Sequence, residues 1–163
     1  MWKFKFLLLV IALLVPSMTV QARSYVDDET PIEIQIYCNK YGEQYNICPE
    51  LLEAICYRES RFDETVIDGT GSCIGLMQIK ASCHRARMER LGVTDLHDIE
   101  SNIHVGADYL AELFDEYEDV GVVLTVYHGE KNIAKAKRGE LSGYVTTILD
   151  KSRQLEVAHG KCD

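Results

Sequence analysis

Glu59 lies in the stretch "AICYRESRF", Ala54 to Phe62, spaced i, i+4, i+8 from Leu51 and Ile55. On a helix these three side chains share one face. Apolar surroundings disfavour a charged carboxyl, and a place in the last helical turn adds the negative end of the dipole. Both effects raise its pKa. Moving a glutamate from about 4.3 to about 6 takes roughly 2.3 kcal/mol of differential interaction, which partial burial can supply. Such a group keeps its proton near neutrality and can donate it as a general acid. The plain alternative is an ion pair with Arg58 or Arg61, and those arginines oppose the shift.

Other polar residues stand in places that ask for a reason. Gln78 sits inside the apolar run "GLMQI" and needs a hydrogen-bond partner there. Asp63, Glu64 and Asp68 are the nearest candidates for a second carboxylate, and none falls in a defensible motif. Cys83 beside His84 suggests zinc, but the chain has no C-x-x-C pair, so no metal site is assigned. Acidic pairs such as "DEYED" read as a solvated face.

These groups need elements to hold them. Residues 1–22, "MWKFKFLLLVIALLVPSMTVQA", place Lys3 and Lys5 before an apolar run that Pro16 and Ser17 break, with small residues at the end. That is the layout of a secretory signal peptide. The run is shorter than the roughly 20 residues of a membrane span, so no stable span is expected after cleavage. The expected location is extracytoplasmic: periplasm, envelope or secreted. The leader carries two lysines and no acid, so the remainder is two charges more acidic than the whole chain's net −9. An acidic surface repels phosphates and argues against nucleic-acid binding. All 6 cysteines follow the leader, and an exported chain with an even count suggests disulfides. Six cysteines allow 15 pairings, among which Cys73 with Cys83 is the favoured short loop.

Residues 23–44 read as a polar lead-in and a first helix. Ile32, Ile34 and Ile36 alternate as in a strand, but Thr30 with Glu33 forms a capping box, Pro31 suits the first helical position and Gly42 the end. "CPELLEAICYRESRF" is a second helix with Pro49 in its first turn, and "HRARMERLG" a short one ending at Gly92. "SNIHVGADYLAELFDEY" carries a stripe of Ile103, Ala107, Leu110 and Phe114. "DVGVVLTVYHG" is β-branched and ambiguous between helix and strand. "SGYVTTILDKSRQLE" opens on a Ser142 cap. The expectation is a mainly α domain, interrupted by the glycine-rich "DGTGSCIG" as a loop or small hairpin.

In order, "YRESRF", "GLMQIKAS", "NIHVGADYL", "VYHG" and the tyrosine of "SGYV" resemble the catalytic domain of soluble lytic transglycosylases, relatives of goose-type lysozyme. The likeness runs from about Cys48 to Leu155, within residues 45–163. It implies a lysozyme-like single domain with a loop or hairpin lining a glycan groove, and peptidoglycan strands as the partner. It implies that Glu59 is the catalytic acid and base. It places Ser60, Gly75, Met77, Gln78, Tyr127, His128 and Tyr144 at the substrate, and puts the helix bearing Asn102, Gly106, Tyr109 and Leu110 behind the groove. Two departures stand out: the loop lacks the family's usual serine and has Cys73 before Ile74, and His128 replaces the asparagine of "YN-x-G".

Cleavage of a glycoside ordinarily uses two carboxylates, and here only one is well placed. The reaction expected from the resemblance needs no second. Glu59 protonates the β-1,4 bridging oxygen between N-acetylmuramic acid and N-acetylglucosamine. It then takes the proton of the sugar's own C6 hydroxyl as a 1,6-anhydro ring closes. No metal or organic cofactor is required. The rivals are a goose-type-like muramidase using water, and a non-catalytic wall-binding protein on the same fold. A cell-envelope assembly complex is a further expected partner.

Overall fold

The computed structural model describes residues 29–161. The expected leader, residues 1–22, lies outside them. The elements, in chain order, are helices α1 (Ile32–Tyr45) and α2 (Pro49–Ser60), strands β1 (Cys73–Ile74) and β2 (Ile79–Lys80), and helices α3 (Ala81–Leu91), α4 (Ile99–Tyr117), α5 (Val120–Tyr127), α6 (Ile133–Ala136) and α7 (Gly143–Ala158).

The centre of the molecule is α2. Every residue from Glu50 to Cys56 is buried, so this helix has no solvated face through its first two turns. It packs on α1 and α7, while α4 packs on α1 and α5. Leu52 and Ile55 of α2, Ile103 and Leu110 of α4, Leu124 of α5 and Ile148 and Leu155 of α7 form one core, each essentially inaccessible to water. Each such side chain contributes about 1.5–3 kcal/mol of apolar burial.

Several boundaries differ from the local signals. α1 starts at Ile32 with Pro31 as its N-cap and no side-chain cap, and Thr30 is buried instead of capping. The helix also runs past Gly42 to Tyr45, and Asn46 adopts the left-handed conformation that closes it. Gly42 is needed for space, because a Cβ there would lie 2.7 Å from the Ile47 carbonyl oxygen and 2.9 Å from the Pro49 ring. The ambiguous "VGVVLTVY" is helix α5. Asp119 caps it by accepting from the Val122 N–H at 2.9 Å, and its β-branched Val122, Val123 and Thr125, with Leu124, are buried. α3 begins three residues before His84, which forms a kink at φ −112°, ψ 16°, and ends at Gly92 as its sequence indicates. Ser142 caps α7, as expected.

The cysteine expectation is corrected. Cys38, Cys48, Cys56, Cys73 and Cys83 are free thiols, so no disulfide joins Cys73 to Cys83. Cys38 and Cys56 are fully buried where α1 meets α2 and behave as small apolar residues. Burial pushes the Cys38 thiol well above its ordinary value.

Candidate functional site

A cleft of about 550 Å³ opens where α2 ends. Glu59 enters it from α2, Asp68 from the following loop, and Cys73, Met77, Gln78 and Lys80 from the hairpin. The kink in α3 brings Cys83 and His84, α4 brings Tyr109, and the end of α5 brings Tyr127 and His128.

The turn between the two strands is built by side chains far away in sequence. Buried Asn102 of α4 accepts from the Met77 N–H at 2.8 Å and donates to the carbonyls of Ile74 at 2.9 Å and Leu96 at 2.7 Å. Gly75 has φ +74°, and a Cβ there would lie 2.4 Å from the Asn102 amide and 2.5 Å from the Leu96 carbonyl oxygen. Gly75→Ala therefore meets both backbone strain and collision. It should cost about 2 kcal/mol or more, read as a lower denaturation midpoint in urea. Tyr127 donates its hydroxyl to the Met77 carbonyl at 2.8 Å, and Gln78 donates to the carbonyls of Gly75 at 3.0 Å and Val66 at 3.2 Å. Gln78 thus has the partners that its apolar setting demands.

Glu59 is half-buried in the cleft wall. Burial raises its pKa above the ordinary 4.5; the Tyr144 hydrogen bond, His128 and Arg58 each pull it back without cancelling the rise. Tyr144 donates its hydroxyl to Oε1 of Glu59. Among the described residues Oε2 has no protein partner. The two arginines do not pair with Glu59. Arg58 lies 5.1 Å from the Tyr144 ring centre, and Arg61 lies 4.3 Å from that of Tyr57. The ion-pair reading of Glu59 is thereby excluded.

Two of the three possible second carboxylates, Asp63 and Asp68, are held in local turns. Asp63 caps a turn through Thr65, at 2.7 Å to the hydroxyl and 2.9 Å to the amide, which hold its pKa down. Asp68 does reach the cleft, but it accepts from the Thr70 hydroxyl and the Ser72 and Cys73 amides, which hold its pKa at about 2. It is a loop organiser that stays ionised.

The structure brings Glu59, Met77, Gln78, Tyr127 and His128 to one cleft and sets Tyr144 against Glu59. Ser60 and Gly75 are buried and do not line it; the Ser60 hydroxyl donates to the Cys56 carbonyl at 3.0 Å, one turn back. Met77 is fully buried, and a Cβ at Gly106 would meet its sulfur at 2.3 Å, so this methionine fills the space under the turn. Tyr109 faces the cleft, 5.6 Å from Tyr127 between ring centres, where only a packing role was expected. The His84 ring packs tilted against Tyr109, 4.6 Å between ring centres, its Nδ1 meets Arg87, and among the described residues no cluster of His, Cys, Asp or Glu could hold a metal ion.

The chain resembles proteins of one kind. The family model described as the transglycosylase SLT domain matches residues 36–143. A protein named transglycosylase from Enterobacteria phage PRD1 is 38% identical over 91 residues, covering 56% of this chain and 32% of its own length. Membrane-bound lytic murein transglycosylase F from Desulfosudis oleivorans is 36% identical over 81 residues, covering 50% of this chain and 17% of that protein. The chain thus matches a third or less of these relatives. In three dimensions, an inactive mutant of the lytic transglycosylase Slt from Pseudomonas aeruginosa superposes with a TM-score of 0.70 at 16% identity, over 88% of this chain and 27% of that one.

Proposed function

The chain belongs to the transglycosylase SLT domain family, and from that premise we propose that it is a peptidoglycan lytic transglycosylase with Glu59 as its acid and then its base. The observation that carries the proposal is the Glu59 carboxyl. It is partly withdrawn from water, raised in pKa, fixed through one oxygen by Tyr144, and left with the other oxygen for a molecule in the cleft.

Such a group donates its proton to the bridging oxygen between N-acetylmuramic acid and N-acetylglucosamine. The 2-acetamido group of the muramic acid stabilises the cation-like carbon left behind, which substitutes for a second protein carboxylate. Ionised Glu59 then removes the proton from the C6 hydroxyl of the same sugar, and that oxygen closes the 1,6-anhydro ring. The nucleophile belongs to the substrate, so attack gains the advantage of an intramolecular reaction. Gln78 and His128 are the polar contacts we assign to the sugars, with the Tyr109 and Tyr127 rings beside them. Ser60, Gly75 and Met77 support the site from behind.

The leader-like residues 1–22 support export, which would bring the enzyme to its polymer outside the cytoplasm. Among the described residues no helix is long and apolar enough to cross a membrane.

Product mass tests the reaction. Purified protein acting on peptidoglycan should release anhydro-ended muropeptides. Reducing ends, each heavier by one water, would establish a hydrolase instead. Unchanged polymer would remove the enzymatic reading.

A further inference from the structure

His128 is where the sequence leaves the pattern that it otherwise resembles. Its ring lies flat against Tyr144, 3.7 Å between ring centres and 12° between planes. The guanidinium of Arg58 also lies over the Tyr144 ring, at 5.1 Å. The same phenol donates to Glu59. His128 is exposed and lines the cleft, whereas Tyr144 is 5% exposed. Tyr144 therefore joins an accessible imidazole to the half-buried acid.

We propose that His128 is a positioning residue for Glu59, acting through Tyr144. This rests on the reading of Glu59 as the acid. Stacking restricts the phenol ring, and the ring's position decides whether its hydroxyl meets Oε1. An asparagine at this place could hydrogen-bond but offers no aromatic face.

Other charged or titratable groups act on Glu59 and Tyr144. Arg58 comes from α2, Cys73 from β1, Tyr127 from the end of α5 and Tyr144 from α7, with Glu130 acting on Tyr144. Arg58 is always charged, and burial holds the two phenols neutral. Burial likewise raises the Cys73 thiol. Glu130 is tied to the Ser142 hydroxyl at 2.7 Å.

Two measurements on the full chain test the proposal. The first is the Glu59 titration itself, followed by carbon NMR of labelled glutamate carboxyls and assigned with Glu59→Gln. In His128→Ala the Glu59 midpoint should move to higher pH, since Tyr144 loses the stacking face that keeps its hydroxyl on Oε1, and that hydrogen bond lowers the Glu59 pKa. An unmoved midpoint overturns the proposal without touching the assignment of Glu59 as the acid. The second is steady-state cleavage of peptidoglycan. His128→Ala should lower kcat about tenfold, and His128→Phe, which keeps a stacking face, should recover most of that loss, while the lost sugar contact raises KM alike in both. An unchanged kcat in His128→Ala, or equal losses of kcat in both variants, also overturns it. A Glu59→Gln protein that remains active would instead remove the underlying reading of the site.

Discussion

Glu59→Gln should lower peptidoglycan cleavage by about a thousandfold or more, some 4 kcal/mol of transition-state stabilisation, with the fold unchanged. The amide has the shape of the carboxyl, and its oxygen still accepts the Tyr144 hydroxyl. What it lacks is a transferable proton for the bridging oxygen and a basic site for the C6 hydroxyl. Both steps use one group, so both fail together. Stability should move in the opposite direction. The folded pKa of Glu59 lies above its unfolded value because burial disfavours the ion. Its favourable contribution is complete below about pH 4.5 and declines as pH rises through the folded pKa. Thermal unfolding should therefore find Glu59→Gln level with the native protein at pH 4 and more stable at pH 8. A Gln variant with full turnover, or one that is unfolded, contradicts this account.

Much of this site is legible from the local sequence, and the exceptions share a physical character. Glu59 stands out because its helical spacing joins it to Leu51 and Ile55. The reason for its burial is different from that stripe. α2 is the central helix and is enclosed on all sides until Cys56, so its last turn emerges directly into the cleft. The hydrogen bond that fixes the acid joins residues 85 apart, and no local pattern marks Tyr144 in preference to Tyr127. Tyr127 instead holds the hairpin turn through Met77. Asn102 is marked only by the family resemblance, because its partners, the Met77 amide and the Ile74 and Leu96 carbonyls, lie outside its own helix. Gly42 misleads as a helix end because the contacts that require it come from Ile47 and Pro49, beyond the helix. The even cysteine count misleads at Cys38 and Cys56 because burial as apolar groups suits thiols as well as pairing does.

Replacing both His159 and Lys161 by alanine should destabilise the protein by about 3–5 kcal/mol at neutral pH, the cost of leaving a buried charge without its partners. That charge is Glu50, which is fully buried at the first turn of α2. His159 meets its Oε1 at 2.8 Å, Lys161 meets the same oxygen at 2.7 Å, and the Cys48 thiol donates to Oε2 at 3.1 Å. Burial alone would raise the Glu50 pKa, but the hydrogen bonds from Lys161, His159 and Cys48 outweigh it and hold the value at about 2. The stabilisation is thus complete above the ordinary 4.5 and is lost as pH falls through about 2, some 3 kcal/mol over that range. Urea unfolding of the double variant should be nearly flat over the same interval, and adding Glu50→Gln should recover part of its loss. The geometry ties this distant group to the cleft. α2 and α7 run antiparallel, with Glu50 and residues 159–161 joined at one end and Glu59 and Tyr144 at the other. Loosening the first junction lets α7 shift along α2, and Tyr144 moves with it. The double variant should therefore lose kcat as well, about tenfold, at temperatures where it is still folded. An unchanged kcat at equal folded fraction would show that the two ends of this helix pair are independent.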